Sequence, residues 1–92
     1  MALKIKQITV IGAGTMGHGI AHVSCTGGFR TVVQDVSEEA LSRASEHIRK
    51  NLAKAVERNL LSQEASQAAL QRLSTETDLR AAVEQADFVI EA

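Results

Sequence analysis

The chain has no proline, no tryptophan and no tyrosine, and aromatic residues make up 2% of its 92 residues. It therefore offers no aromatic platform on which bases or sugars could stack. Ten Lys and Arg stand against 11 Asp and Glu, a net charge of −1, so the basic excess expected of a nucleic-acid partner is missing. No apolar run approaches the roughly 20 residues that span a bilayer, and no membrane partner is expected. The single Cys25 excludes an internal disulfide and fits a reducing compartment. From Ala2 to Thr9 charged and apolar residues alternate instead of forming an apolar block, so no signal peptide is expected there and the expected location is cytoplasmic.

What is present is an alternation of strand-like and helix-like segments. Ile5 to Ile11 becomes continuously apolar, as a strand entering a buried parallel sheet does. A helical pattern follows to about Thr26, with Met16, Ile20, Ala21 and Val23 as its expected sheet-facing side, and Gly27-Gly28 ends it. Phe29 to Gln34 reads as a second strand ending at Asp35, completing a βαβ unit.

Ser37 is placed to cap a long helix, with Glu38 and Glu39 where the helix dipole favours negative charge. Leu41, Ala44, Ile48, Leu52, Ala55 and Val56 form one apolar stripe along it. A turn over Asn59 to Ser62 leads to a second helix, Gln63 to Arg72, capped by Ser62. A third strand at Leu73 to Thr75, a short helix from Asp78 to Gln85 and a fourth strand from Asp87 to Glu91 complete the pattern. No internal repeat, linker or low-complexity tract interrupts it.

A sheet ordered 3-2-1-4 would leave that fourth strand as an uncovered edge. Residues 1–92 are therefore expected to be a piece of something longer.

Gly12-Ala13-Gly14-Thr15-Met16-Gly17 has the form G-x-G-x-x-G, a weak signal alone, since such hexapeptides arise by chance. Here it directly follows an apolar strand, opens a helix, and is followed by an acidic residue at the end of the next strand. Gly12 permits the tight turn, Gly14 lets a pyrophosphate approach the backbone, and Gly17 lets helix and strand pack closely. Asp35 would accept hydrogen bonds from the adenosine ribose and repel a 2′-phosphate, which favours NAD over NADP. Val36 adds no positive charge beside it. The same turn also serves α/β proteins that bind no dinucleotide, and FAD-binding proteins. The latter more often carry Glu at the end of the second strand and lack a long helical insertion after it.

Val10 to Ala21 (V-I-G-A-G-T-M-G-H-G-I-A), Val32 to Asp35 (V-V-Q-D) and Ala86 to Ala92 (A-D-F-V-I-E-A) resemble the 3-hydroxyacyl-CoA and 3-hydroxybutyryl-CoA dehydrogenases. The resemblance covers the whole chain but only about the first third of the family's length, which implies that residues 1–92 are the N-terminal part of an NAD-binding Rossmann domain, its remainder and a helical C-terminal domain lying outside the chain. It implies an α/β, Rossmann-type doubly wound parallel sheet, with a helical pair of roughly forty residues between strands two and three that meets coenzyme A. It places NAD contacts at Gly12, Ala13, Gly14, Thr15, Met16, Gly17 and Asp35, and coenzyme A contacts at Asn51 and Arg58.

Read from the residues, Asn51, Lys54 and Arg58 share one helix face, and a row of Lys50, Lys54 and Arg58 could seat a phosphate. A solvated face balanced by Glu46 and Glu57 fits the same residues. The family's catalytic His–Glu pair, with its supporting Ser and Asn, falls beyond position 92, and none of His18, His22 and His47 matches it. No catalytic residue is therefore expected in this chain. The implied enzyme acts on acyl-CoA as a homodimer. A non-catalytic nucleotide-binding or structural descendant, or another NAD-dependent hydroxyacid dehydrogenase, would carry the same fingerprint. His18 and His22 stand four apart on one helix, but with no third ligand nearby a metal site is not expected. Cys25 reads as a small buried hydrophobe.

Overall fold

The computed structural model describes residues 4–92, so the start of the Ala2–Thr9 alternation lies outside the described residues. The elements follow in the order β1 (Gln7–Ile11), α1 (Thr15–Thr26), β2 (Arg30–Gln34), α2 (Glu38–Glu57), α3 (Gln63–Arg72), β3 (Leu73–Glu76), α4 (Leu79–Glu84) and β4 (Phe88–Glu91). All four strands are parallel and their spatial order is β3-β2-β1-β4, the first half of a doubly wound sheet. Ile8 faces Thr31, and Val10 faces both Val33 and Ile90 across the sheet.

Strand β1 starts two residues later than its apolar pattern. The Asp87 carboxylate explains this, accepting from the N–H groups of Lys6 and Gln7 at 2.9 and 3.0 Å at the foot of the strand. Those two N–H groups hold Asp87 below the usual carboxylate range. Phe29 also leaves the expected strand and belongs to the stop of α1. Its N–H donates to the Ser24 carbonyl at 3.1 Å and that of Gly28 to Cys25 at 3.4 Å, a Schellman closure that requires the left-handed φ of +103° at Gly28.

The buried stripe of α1 is Gly17, Ala21, Ser24 and Cys25, and this corrects the expected sheet-facing side. Ala21 and the half-buried Ile20 do face the core, but Met16 and Val23 are 69% and 70% exposed. The helix lies too close to the sheet for long side chains, so the inward positions are small, and Ser24 pairs with the Thr31 hydroxyl at 2.7 Å in the interior. On α2 the expected stripe holds: Leu41, Ala44, Ile48 and Leu52 are buried, with Ala55 and Val56 half-buried. Ile48 and Leu52 are fully enclosed and form one core with Val10, Val33, Ala21, Cys25 and Ala69. Ser37 and Ser62 cap α2 and α3 by accepting from Ala40 and Ala65 N–H at 3.1 Å.

Because strand side chains alternate, Thr9 lies on the opposite sheet face from Val10, toward α4. Its hydroxyl, fully buried, donates to the Ala82 carbonyl at 2.6 Å. That carbonyl lies in the last turn of α4, where it has no partner within the helix. Thr9→Val keeps the shape and strands the carbonyl, so the urea midpoint should fall by the equivalent of about 1–2 kcal/mol at unchanged m-value. Among the described residues no helix is long and apolar enough to cross a membrane.

Candidate functional site

The carboxyl ends of β1 and β2 carry the chemistry. Gly12 leaves β1 with φ +103°, a backbone state that side chains resist, while its N–H still reaches the Gln34 carbonyl at 2.7 Å. Ala13 is buried behind the turn. Gly14 is the N-cap of α1 in extended conformation and supplies no side-chain cap. A Cβ on Gly14 would meet no atom within 4 Å, so the space in front of it is open. The first-turn N–H groups of Thr15, Met16 and Gly17 therefore have no partner within the helix, and no acidic residue stands in that turn. This donor set fits a pyrophosphate. Gly17 faces inward, and a Cβ there would collide with the Gly12 carbonyl oxygen. Gly12 and Gly17 thus make the tight turn and the close helix–strand packing that their spacing predicts.

Asp35 stands at the end of β2. One carboxylate oxygen accepts from Ala13 N–H and the other from Ser37 N–H, both at 3.0 Å. The Ser37 N–H, then that of Ala13, hold its pKa below the ordinary carboxylate value. The group is therefore ionised at neutral pH, and each oxygen keeps a lone pair for a ribose hydroxyl. The carboxylate also ties the glycine turn to the start of α2, a role the fingerprint does not announce. Val36 beside it is 87% exposed and brings no positive charge.

A shallow cleft of 180 Å³ runs from the glycine turn between α1 and α2, lined by Ala13, Gly14, Thr15, His18, Ala40, Arg43, Ala44 and His47. The His18 and His47 rings stack across it, centroids 4.8 Å apart and 13° from parallel. Sequence reading missed this pair, because nothing local relates histidines on two helices. His18 also lines the next depression, 430 Å³, whose walls include His22, Asn51, Lys54, Ala55, Arg58 and Leu60. Asn51, Lys54 and Arg58 are thus brought together as expected. Lys50 is not: it lines a separate depression with Arg43, Glu46 and His47. Each four-residue step advances about 40° around a helix, so a three-residue row at that spacing turns away from one face. A wider depression of 610 Å³ between α2 and β3 carries Glu38, Glu46 and Glu76, charges that repel anionic ligands.

Cys25 is fully buried, and burial pushes its thiol pKa up, as expected of a core residue and not of a nucleophile. The Arg72 guanidinium donates to the Cys25 carbonyl at 2.9 Å, closing the end of α1 from α3. Glu91 is exposed at the carboxyl end of β4. Among the described residues no three His, Cys, Asp or Glu side chains are grouped to hold a metal ion.

Residues 7–92 match the family model described as 3-hydroxyacyl-CoA dehydrogenase, NAD binding domain. The chain is 41% identical over its whole length to the 3-hydroxyadipyl-CoA dehydrogenase of Escherichia coli K12, of which it spans 19%. It is 45% identical over 73 residues, 79% of the chain, to the 3-hydroxybutyryl-CoA dehydrogenase of Bradyrhizobium diazoefficiens, of which it spans 25%. A solved 3-hydroxybutyryl-CoA dehydrogenase from Escherichia coli K12 superposes on 97% of the chain with a TM-score of 0.93 at 42% identity, the chain covering 19% of it. The chain therefore spans a fifth to a quarter of these relatives. With the glycine turn, Asp35 and the helical insertion in place, it belongs to the 3-hydroxyacyl-CoA dehydrogenase NAD-binding domain family, and its cofactor is NAD.

Proposed function

We propose that this chain provides the NAD site of an enzyme that interconverts 3-hydroxyacyl-CoA and 3-oxoacyl-CoA. Bound NAD supplies the hydride acceptor for the carbon bearing the 3-hydroxyl, while a base outside this chain takes the hydroxyl proton. The chain's own residues bind and orient. Gly12 to Gly17 offer backbone donors to the pyrophosphate, and Asp35 accepts from the adenosine ribose. Asn51, Lys54 and Arg58 on α2 hold the nucleotide end of the acyl-CoA.

The observation that carries this reading is the placement of His18, which lines both the cleft at the glycine turn and the cationic depression beside it. The two depressions share that side chain, which supports two anionic ligands lying side by side. Calorimetric titration of the full-length protein tests it. Arg58→Ala should weaken coenzyme A binding about tenfold, the effect of losing one charge-assisted contact, and leave NAD binding unchanged. Equal coenzyme A affinity in both proteins would make the α2 cations a solvated face.

A further inference from the structure

The wall facing Lys54 and Arg58 is formed by α1, and its half-buried His22 has one ring nitrogen sealed off. The Nδ1 atom is shielded from solvent and has no hydrogen-bond partner among the described residues. In the neutral ring, a proton on Nδ1 would bury an unmatched N–H donor. The remaining arrangement leaves a lone pair on Nδ1 and the proton on Nε2, which is also the favoured tautomer of a free imidazole side chain. The exposed part of the ring then presents an N–H to the depression that His22 lines. Opposite stand the Lys54 ammonium, the Arg58 guanidinium and the Asn51 amide, and no carboxylate lines the space. Four donor side chains on two helices, two of them cationic, suit a group with several anionic oxygens and no donors of its own, a phosphate.

We propose that His22, from α1, donates through Nε2–H to a phosphomonoester clamped from the other side by Lys54 and Arg58. This rests on the reading that the depression takes the nucleotide end of coenzyme A, and it assigns the terminal ribose phosphate, not the pyrophosphate, to the His22 wall. The contact needs no protonation of the ring, since the donor is present in the neutral imidazole.

The test uses the full-length protein with coenzyme A and with dephospho-coenzyme A, which lacks only that monoester. Wild type should bind coenzyme A more tightly than dephospho-coenzyme A. His22→Leu should weaken coenzyme A about tenfold, the loss of one hydrogen bond to a charged group, and leave dephospho-coenzyme A unchanged. His22→Gln, whose amide nitrogen reaches the position of Nε2, should restore most of the affinity. Long-range nitrogen–proton NMR correlations should show His22 as the Nε2–H tautomer before any ligand is added.

An Nδ1–H tautomer would overturn the proposal, as would a His22→Leu variant that binds coenzyme A normally or loses both ligands equally. If wild type binds neither ligand, the coenzyme A reading of the depression fails as well. If wild type binds both but ignores the monoester, only the His22 assignment fails.

Discussion

Gly17→Ala should abolish NAD binding and lower the stability of the fold by about 3 kcal/mol or more, the upper end of the range for overpacking a filled interior. The added methyl group has nowhere to go, because it would overlap the Gly12 carbonyl oxygen. That oxygen belongs to the backbone of the turn, so no side chain can rotate aside. Relief would require either lifting α1 off β1 or turning the Gly12 peptide. The first opens the contact that buries Ala21 and Cys25. The second is resisted by the Gly12 N–H, tied to Gln34 at 2.7 Å. Either movement displaces the first-turn N–H groups that would receive the pyrophosphate. For a domain of this size the melting midpoint should fall by roughly 12 °C or more, read by circular dichroism alongside an NAD titration. Gly19→Ala is the control, since a Cβ there meets nothing within 4 Å and alanine favours the helix. A Gly17→Ala protein that melts with wild type and binds NAD would refute the close-approach account.

The parts of this fold that were legible in the sequence are those decided by neighbours along the chain. The parallel β1–β2 pairing followed from a βαβ start, the α2 stripe from its period, and the caps at Ser37 and Ser62 from short side chains ahead of helix-forming runs. The glycine turn was legible because each glycine answers a local steric demand. What stayed hidden depends on partners far apart in sequence. The Asp87 carboxylate caps the foot of β1 from 81 and 80 residues away, and Arg72 closes α1 from 47 residues away. Neither pairing leaves a trace in local pattern. Met16 and Val23 misled for another reason. Hydrophobicity ranks them as core residues, whereas the distance between α1 and the sheet, set by Gly17 against Gly12, admits only small side chains at the inward positions. Near the site, the resemblance pointed to Asn51 and Arg58 and spacing put them on one face with Lys54, but the opposing wall of His18 and His22 required two helices to be placed side by side.

Asp35→Ala should raise the Kd for NAD about a hundredfold, the order expected when a carboxylate that accepts from two ribose hydroxyls is removed. It should also improve NADP binding, because the charge that repels a 2′-phosphate is gone while no cation replaces it, so the preference for NAD narrows without inverting. The variant has a second effect inside the protein. The Ala13 and Ser37 N–H groups both lose their acceptor, and with it the tie between the glycine turn and the start of α2. This part is separable by pH. Those N–H groups lower the carboxyl pKa in the folded state from an ordinary value of 3.8. Linkage then gives the sign: the stabilisation is complete at pH values above that unfolded value and is lost as pH falls through the lower folded one. Urea midpoints of wild type and Asp35→Asn should therefore differ at pH 7 and converge in acid, once the wild-type carboxyl is protonated in both states. Asparagine retains one accepting oxygen, so it should keep part of the tie and fall between wild type and alanine at neutral pH. A constant gap between wild type and asparagine at every pH would show that the ionised form carries no special stability. The NAD effect would then belong to the ribose contact alone.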